Sequence, residues 1–445
     1  MANDNQKAVP RESADGEAEK YLALQMSLKD KSRFSNILLT VLTMGFVFVF
    51  AALFWILPKR DFSPEENRAL AGTPTLTVDN LMSGGLTEEV SDYMADQFPA
   101  RNFFIGVKAA GELLQFKQMN NDVFVADDGY LIARNDYPNE DNLKKNLAAA
   151  GKFMSAAKEN GINCTAAFAG RKADVCDDRR PAVYGSYDSD RIWNITEELC
   201  TGDGIDMINL RNVLRKAEES GDEVYYKTDH HWNSHGAYLA YAAIADSVGY
   251  SAYQESDFTV ECAAKDFLGT TWSSSGVKWE KGEELDFYRW EGDGDFTMKV
   301  LDASGQLLEH GGRKEESDSK TYSVFDSYFV RDFLTEKDKY AAFTGGNFGY
   351  TEITKNGGTD RPTLLVLKDS FANSLVQFLS RDYDLIMIDL RYYKTNITKL
   401  CSEKNIKTCF CFITWKHLPS LQTLLYSARD SESKRIFYKV GRCFL

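Results

Sequence analysis

The longest apolar stretch of the chain runs from Asn36 to Leu57 and contains no charged side chain. A helix that crosses a bilayer needs about 20 predominantly apolar residues, and this stretch has that length. A cleavable signal peptide is the alternative, but its apolar part usually covers about 7–15 residues and is followed by a small-residue cleavage site. Here Pro58-Lys59-Arg60 follows instead, and Trp55 lies near the end, where an amphipathic ring favours the membrane interface. The pattern predicts a retained single-pass transmembrane helix over 36–57.

Basic residues flank this predicted anchor unequally. Those before it are Lys29, Lys31 and Arg33, and those after it are Lys59 and Arg60. Because basic residues favour the cytoplasmic side, the slight excess predicts a cytoplasmic N-terminus and a large C-terminal domain outside the cytoplasm. Residues 1–35 are polar and lack apolar periodicity, so we expect a disordered cytoplasmic tail. Residues 58–120 are predicted to form a linker and a helical lead-in.

Beyond residue 120 the hydrophobic pattern alternates between helical spacing and short apolar runs. The predicted helices are Leu143–Asn160, Asp188–Leu199, Asn212–Ser220, Ser234–Val248 and Phe371–Ser380, and the predicted strands are Ile162–Ala169, Met207–Leu210, Thr363–Leu367 and Leu385–Leu390. Such alternation is typical of an α/β sheet with crossover helices. From about 258 to 345, glycines, charges and short aromatic runs predict a β-rich insertion. We expect one α/β domain over 121–405 that contains this insertion.

The composition supports a folded domain and excludes one class of partner. Hydrophobic residues make up 43% of the chain and aromatic residues 13%, which is enough for a sizeable core. A net charge of −14 would repel the phosphates of nucleic acid, so we expect no nucleic-acid partner. The eight cysteines contain no pair with zinc-binding spacing, and free thiols are favoured because a large core needs no cross-links. No cofactor is predicted.

Two short polar segments stand directly before predicted helices. Tyr226–Asn233 precedes Ser234–Val248, and Lys368–Phe371 follows a predicted buried strand. A serine at a strand-to-helix turn lies at the sheet edge where open α/β sheets bind ligands, and the N–H groups that begin a helix suit an oxyanion. Ser370 is therefore a candidate nucleophile. The alternative is that Asp369 and Ser370 only cap the helix, as these residue types commonly do.

A serine hydroxyl needs a base, and three of the five histidines cluster at His230, His231 and His235. An aspartate two residues before a histidine can orient the ring and stabilise its charged form, and Asp229 with His231 fits that role. A metal site is the alternative, because His231 and His235 have the spacing of two zinc ligands and would need a third from elsewhere. We favour acid–base chemistry and predict no metal here.

The same residues spell the motif of a known family. Asp229-His230-His231-Trp232 resembles the motif after which the DHHW proteins are named. Four further segments look like other blocks of that family: Gly170-Arg171-Lys172, Phe267-Leu268-Gly269-Thr270, Leu367-Lys368-Asp369-Ser370-Phe371-Ala372-Asn373-Ser374 and Ile388-Asp389-Leu390-Arg391-Tyr392-Tyr393. The resemblance covers about Phe62 to Asn405. The four-residue motif alone is a weak signal, but the whole set in this order, behind a single anchor, is specific.

DHHW proteins resemble the alginate O-acetyltransferases, whose SGNH-hydrolase-like domain is a three-layer, flavodoxin-like α/β fold. The resemblance implies a permuted motif order, because serine comes last here and first in ordinary SGNH hydrolases. It implies Ser370 as nucleophile, His231 as general base and Asp229 as its orienting partner. It also implies acetyl transfer to a cell-surface or secreted polysaccharide, often beside a multi-spanning membrane O-acyltransferase. An esterase of the same fold and a non-catalytic wall-associated binding protein are the alternatives.

Four more residues are candidates for substrate contact. Arg171, Lys172 and Arg391 carry positive charge, although structural ion pairs explain them at least as well, and Trp232 is explained better by packing. One position departs from the family pattern. Lys368 stands where the relatives commonly have glycine before Asp-Ser, so we expect an altered oxyanion site.

The segment 406–445 differs from the rest of the chain. It is basic and contains several cysteines, whereas the body is acidic. The stretch Lys407–His417 can be encoded so that reading from the third base gives Asp-Val-Leu-Leu-Phe-Tyr-Asn-Met-Glu-Thr, which reads as a buried strand followed by a loop. We hypothesise that this end is frameshifted. A gene with no open continuation in the alternate frame would contradict the hypothesis.

Overall fold

The computed structural model describes residues 14–414 except 67, 136–138, 181–187, 309–323 and 359. These residues form two compact units. The smaller unit comprises the described residues of Met1–Ser63 and Arg68–Phe104, and the larger unit comprises those of Pro64–Asn67 and Ile105–Leu445. The first part of the predicted tail, 1–13, and most of the atypical end, 415–445, lie outside the described residues.

A long helix forms about half of the smaller unit. Helix α1, Ala14–Ile56, includes the predicted anchor. Among the described residues, its stretch Lys20–Ile56 is the one helix long and apolar enough to cross a membrane. Because the chain is helical from Ala14, the expectation of a disordered tail over the whole of 1–35 is corrected. The physical reason is that extending an existing helix needs no new nucleus, and the preceding segment is rich in good helix formers such as alanine, leucine and lysine.

The rest of the smaller unit consists of short elements: β1 (Phe62–Ser63), β2 (Arg68–Ala69), α2 (Val78–Ser83) and α3 (Gly85–Asp96). Helix α2 begins after Thr77, whose hydroxyl accepts a hydrogen bond from the backbone N–H of Asn80. Helix α4, Arg101–Leu114, includes the boundary between the two units. The segment predicted as a helical lead-in therefore does contain helices.

An eight-stranded mixed sheet forms the centre of the larger unit, within the part of the chain that the structure describes. Its strands in spatial order are β11 (Val324–Phe325), β10 (Phe296–Leu301), β12 (Tyr350–Lys355), β14 (Asp384–Asp389), β13 (Thr363–Lys368), β15 (Thr408–Thr414), β6 (Asn163–Ala169) and β7 (Met207–Asn209). The five strands from β14 to β7 are parallel, and the three at the other edge are antiparallel to their neighbours.

Helices cover both faces of this sheet. They are α5 (Glu140–Glu159), α6 (Lys172–Val175), α7 (Ser189–Gly202), α8 (Leu210–Glu219), α9 (Ser234–Val248), α11 (Val376–Leu379) and α12 (Ile397–Glu403). A further short helix, α10 (Thr270–Ser274), packs in a separate small core with Val123 and Leu131. The side chains of β13 alternate between two hydrophobic cores. Leu364 and Val366 pack on the side of α8 and α9, and Leu365 and Leu367 pack on the side of α5, α7 and α12. Strands buried on both faces are typical of a three-layer α/β domain.

Two smaller sheets complete the larger unit. The first contains β3 (Met119–Asn120), β4 (Val123–Val125) and β5 (Leu131–Ala133), and the second is the hairpin of β8 (Thr259–Phe267) and β9 (Glu283–Arg289). The expected β-rich region therefore exists, but it is divided. Its hairpin forms a separate sheet, whereas β10 and β11 extend the main sheet.

The hydrophobic pattern of the sequence predicted the bounds of one helix and several strands to within one residue. Helix α9 has the predicted bounds, and β13 and β14 each lie within one residue of the predicted strands. The segment after β13 differs, because Ser370–Leu375 is a 3-10 helix and only Val376–Leu379 is α-helical. Strand β15 lies beyond the expected end of the domain at 405. Part of the atypical end is thus central to the sheet, between β13 and β6.

Candidate active site

The first polar segment forms a closed loop directly before α9. Tyr225 and Trp232 pair as an isolated β-bridge, and the backbone N–H of Tyr226 donates to the carbonyl of His231 at 3.2 Å. Asn233 then caps α9 through its side chain, which accepts from the backbone N–H of Gly236. The closure at its base fixes the tip of the loop, where residues 228–230 lie.

The second polar segment follows β13 at the carboxyl end of the parallel strands. Asp369 organises the turn, because one carboxylate oxygen accepts from the backbone N–H of Phe371 at 3.0 Å. The other oxygen accepts from the backbone N–H and the hydroxyl of Thr414, at 2.7 and 2.6 Å. Asp369 thus ties the start of the 3-10 helix to the end of the neighbouring strand β15. This arrangement presents Ser370 at the edge of the sheet.

The two segments meet, although 139 residues separate His231 from Ser370 along the chain. His231 Nε2 lies 2.8 Å from Ser370 Oγ, and His231 Nδ1 lies 2.6 Å from Asp229 Oδ1. When Nδ1 carries the proton and donates it to the carboxylate, Nε2 accepts from the serine hydroxyl. The three side chains are nearly enclosed, with exposed fractions of 6% for Ser370, 5% for His231 and 1% for Asp229.

The carboxylate of Asp229 is held by a segment to which the sequence assigned no role. The backbone N–H and the hydroxyl of Thr270 both donate to Asp229 Oδ2, at 2.6 and 2.9 Å. A side chain at Gly269 would have its Cβ 2.2–2.6 Å from atoms of Asp229, so only glycine fits there. Burial opposes ionisation of Asp229, but His230, His231 and the Thr270 hydrogen bond outweigh burial and hold its pKa well below the usual range.

The imidazole of His231 is fixed by aromatic rings. Tyr340 stacks on it with ring centroids 3.9 Å apart and planes 6° apart, and Phe371 contacts it at 4.8 Å. The Tyr340 hydroxyl lies 3.2 Å from the carbonyl oxygen of Ser370, to which it can donate. Tyr340 therefore contacts both the base and the backbone of the nucleophile. Nothing in the sequence singled out this tyrosine, which lies in a 3-10 segment between two irregular stretches.

The other two clustered histidines are placed differently. His230 Nδ1 lies 2.6 Å from the hydroxyl of Thr270, and its side chain is 37% exposed. His235 Nδ1 lies 2.8 Å from Glu255 Oε1, so the spacing of His231 and His235 does not bring those two rings to one centre. Ligand atoms of Asp229, His230 and His231 do lie within 4.8 Å of one another. A metal there would compete with the His231–Asp229 hydrogen bond, and the prediction of an acid–base site without metal stays a prediction.

Two of the four predicted substrate contacts are buried. Lys172 is buried, and its ammonium donates to the carbonyls of Leu131, Tyr226 and Lys227 at 2.6, 2.8 and 3.0 Å. Burial lowers the pKa of Lys172 to about 8. Trp232 is fully buried, and its indole N–H donates to the carbonyl of Phe371 and to the hydroxyl of Ser374. Both side chains stabilise the loop that carries Asp229 and His231, and substrate contact by either stays a prediction.

The other two predicted contacts lie at the sheet edge and are partly exposed. Arg171 pairs with Asp174, with 3.3 Å between Nε and Oδ2, and its side chain is 23% exposed. Arg391 pairs with Asp389 through two nitrogens, and its side chain is 24% exposed. Both follow parallel strands, at the same edge as Ser370. Ion pairing accounts for both side chains, and substrate contact by either stays a prediction.

Lys368, the departure from the family pattern, lies inside the domain. Its ammonium donates to the side-chain oxygens of Asn373 and Asn347 at 2.5 and 3.2 Å. Burial lowers its pKa to about 8. The backbone N–H of Phe371 is already bonded to Asp369, so that group is not available as an oxyanion donor in this arrangement. An altered oxyanion site at Lys368 is not tested by these contacts.

Comparison with known proteins identifies the fold. A family model described as the SGNH hydrolase-like domain of the acetyltransferase AlgX matches residues 123–283, and the DHHW protein model matches residues 206–388. The structure is similar to Bacillus cereus PatB1 with a sulfonyl adduct, with a TM-score of 0.52, 22% identity, and coverage of 66% of this chain and 97% of that one. No curated protein matches significantly.

A second solved structure gives the same result. A DHHW family protein from Eubacterium siraeum DSM 15702 has a TM-score of 0.52 and 17% identity, with coverage of 69% of this chain and 95% of that one. At these identities the structures show the fold alone. Together with the two family models, they confirm the expected SGNH-like α/β domain and the resemblance to the DHHW and AlgX-type proteins.

Proposed function

We propose that this chain, which matches the DHHW and AlgX-type family models, transfers acetyl groups to a polysaccharide outside the cytoplasm while anchored in the membrane by α1. One observation carries the proposal. Ser370 Oγ lies 2.8 Å from His231 Nε2, and His231 Nδ1 lies 2.6 Å from Asp229 Oδ1, which is the geometry of an activated nucleophile with an oriented base.

The first step forms an acetyl ester on the enzyme. Ser370 Oγ attacks the carbonyl carbon of the acetyl donor while His231 Nε2 takes the hydroxyl proton. The bond from the acetyl carbon to the donor's leaving group breaks, and the leaving group departs with the proton from Nε2. Asp229 keeps its charge throughout and stabilises the imidazolium, because its pKa is held low and Thr270 donates to its second oxygen.

The second step returns the enzyme to its starting state. A hydroxyl of the polysaccharide attacks the acetyl carbon on Ser370, and His231 Nε2 takes the proton of that hydroxyl. The bond between Ser370 Oγ and the acetyl carbon breaks, and the serine oxygen recovers a proton from His231. Water in place of the sugar hydroxyl would make the same site an esterase. The scheme requires an acetyl donor outside the cytoplasm, and a multi-spanning membrane O-acyltransferase is the partner we propose for its supply.

Water and a sugar hydroxyl would attack the same acetyl carbon, so transfer and hydrolysis are distinguished by supplying an acceptor. The test uses the purified full chain with an activated acetyl ester, with and without oligosaccharide acceptors. Release of the leaving group and acetylation of the acceptor are measured together. Acceptor-dependent acetylation supports the proposal, whereas hydrolysis alone supports the esterase. No turnover in a folded protein supports a binding role.

A chemical probe gives a second, independent measurement. PatB1, whose structure is similar, is known with a sulfonyl adduct. We expect a sulfonyl fluoride to react once with this chain, at Ser370, and peptide mass mapping would locate the adduct. His231→Ala should lose the reaction because the hydroxyl is then no longer activated. Labelling at another residue, or undiminished labelling in Ser370→Ala, would contradict the assignment of Ser370 as nucleophile.

A further inference from the structure

The helices of the smaller unit carry an unusual number of exposed apolar side chains. Each of the following is more than a third exposed: Val78, Leu81, Met82, Val90, Met94 and Phe103. In α2, Val78, Leu81 and Met82 follow the i, i+3, i+4 spacing of one helix face. In α3, Val90 and Met94 are four residues apart and share a face. Contiguous apolar surface of this kind is rare on a protein face that contacts water.

The contacts of α1 place part of this unit beside the apolar stretch of the helix. The ring of Phe98 stacks on Phe50 with centroids 5.5 Å apart, and Phe104 contacts Phe50 at 5.4 Å and Phe46 at 6.0 Å. Phe50 and Phe46 lie seven and eleven residues before Leu57, the last residue of the apolar stretch. At 1.5 Å per residue these contacts are roughly 10–16 Å along the helix from Leu57.

The carboxylate of Asp96 is paired with two arginines, of which Arg68 is 43% exposed. The carboxylate of Asp96 is buried and bonds two nitrogens of Arg68, at 2.5 and 2.8 Å, and Arg101 lies 3.6 Å away. The Arg68 hydrogen bond holds the pKa of Asp96 at about 2. Gln97 bonds the backbone N–H and carbonyl of Arg60. Pairing of this kind lowers the cost of holding charged side chains close to a hydrocarbon environment.

We propose that α2, α3 and the first turn of α4 lie in the bilayer, in the leaflet on the side of Leu57, with their apolar side chains against the acyl chains. The acidic side chains of α3, Glu88, Glu89 and Asp92, lie on its other side, toward water. The inference depends on α1 spanning the membrane and is independent of the chemistry at Ser370. The anchor would then consist of several helices, of which α2, α3 and the start of α4 lie within one leaflet. The sequence alone predicts a single transmembrane helix followed by a linker.

The test is site-specific photo-cross-linking of the full chain in lipid nanodiscs. Benzoylphenylalanine replaces Phe103 or Met82, and mass spectrometry measures lipid adducts after irradiation. Val41 of α1 is the positive control and Tyr392 of the larger unit the negative one, because both side chains are similarly exposed, at 61% and 59%. We expect adduct yields at Phe103 and Met82 close to that at Val41, and background yield at Tyr392.

Each other outcome has a defined meaning. Adducts at Val41 but not at Phe103 or Met82 would overturn the proposal and leave the anchor intact. Loss of lipid adducts at Val41 as well would contradict both the proposal and the assignment of α1 as a membrane anchor. In native membranes, a protein adduct at Phe103 in place of a lipid adduct would show that this face binds a membrane protein, which also contradicts the proposal. None of these results depends on acetyl transfer, so the two proposals fail separately.

Discussion

Two turns at the same edge of the sheet occupy similar positions but have different partners. One follows β13 and carries Ser370, and the other follows β6 and carries Lys172. Both come after buried parallel strands, and both present a polar side chain where α/β domains bind ligands. Yet Ser370 is bonded to a histidine from a distant loop, whereas Lys172 bonds three backbone carbonyls. The position of a polar residue suggested chemistry in both cases, but its partners decide the role.

If the β13 turn is chemical, its residues should act as one unit. We expect Ser370→Ala and His231→Ala each to lower kcat by about a thousandfold or more, and the double variant to be no worse, because nucleophile and base function together. The measurement is turnover of an activated acetyl ester, with thermal melts to show that each variant is folded. Wild-type activity in Ser370→Ala would show that the β13 turn, like the β6 turn, has no chemical role.

If the β6 turn is structural, its lysine should matter for stability. Lys172→Met removes the ammonium donor from the buried carbonyls of Leu131 and Tyr226, while the carbonyl of Lys227 keeps the backbone N–H of Leu131. We expect a loss of about 3 kcal/mol in the free energy of unfolding. Chemical denaturation measures the loss, with Lys281→Met, at an exposed lysine, as the matched control. A substrate-binding lysine would behave in the opposite way, with KM for the glycan raised and the stability unchanged.

Lys368, beside the β13 turn, offers a pH test of the same contrast. Its pKa is lowered to about 8 from an ordinary value near 10.5, so between these values the folded protein binds fewer protons than the unfolded chain. Stability of the wild type should therefore rise with pH relative to Lys368→Met, by up to about 1.4 kcal/mol per pH unit. Below pH 8 the difference should be constant. Parallel pH profiles of unfolding would mean that the ammonium is not buried.

The mildest change is expected at His230, which shares the motif but not the hydrogen bond to serine. Its ring bonds the hydroxyl of Thr270, and the loss of one such bond is worth about 1 kcal/mol. His230→Ala should therefore lower kcat by about fivefold. The ester assay that tests Ser370 measures this too. A loss at His230→Ala that exceeds the loss at His231→Ala would show that the base is assigned to the wrong histidine.

The fold was more accessible from the sequence than the site. Apolar spacing located α9 and the strands β13 and β14, because each is set by a local pattern of burial. The 3-10 helix after β13 was missed, since apolar spacing alone does not distinguish it from an α-helix. The pairing of His231 with Ser370 is long-range: the turn serine and the clustered histidines made it a candidate, and the family resemblance favoured it over a helix cap or a metal site.

Residues that support the site were harder to find. Gly269 and Thr270 stood in a segment similar to the family, and that was the available signal for their contact with Asp229. Tyr340 gave no signal in the sequence, because a ring that stacks on a histidine has no sequence signature. The sequence did not decide whether Lys172 and Arg391 contact a substrate or form structural bonds. In the structure Lys172 bonds backbone carbonyls, and Arg391 bonds a nearby carboxylate. The frameshift hypothesis also stays open, because both reading frames supply an apolar strand at the buried positions Cys409–Phe412.

The position of β15 has a consequence for how the chain folds as it is made. This strand is the last described element, yet it lies between β13 and β6, and Thr408 pairs with Asn163 as well as with Leu364. During synthesis β6 and β13 leave the ribosome before β15, so the parallel sheet can form completely only after β15 has been made. Pairings between distant segments form slowly, and waiting strand edges are prone to aggregate. A chain that crosses a membrane segment by segment would therefore remain vulnerable until Thr414 has emerged, and Asp369 could make its bonds to Thr414 only then.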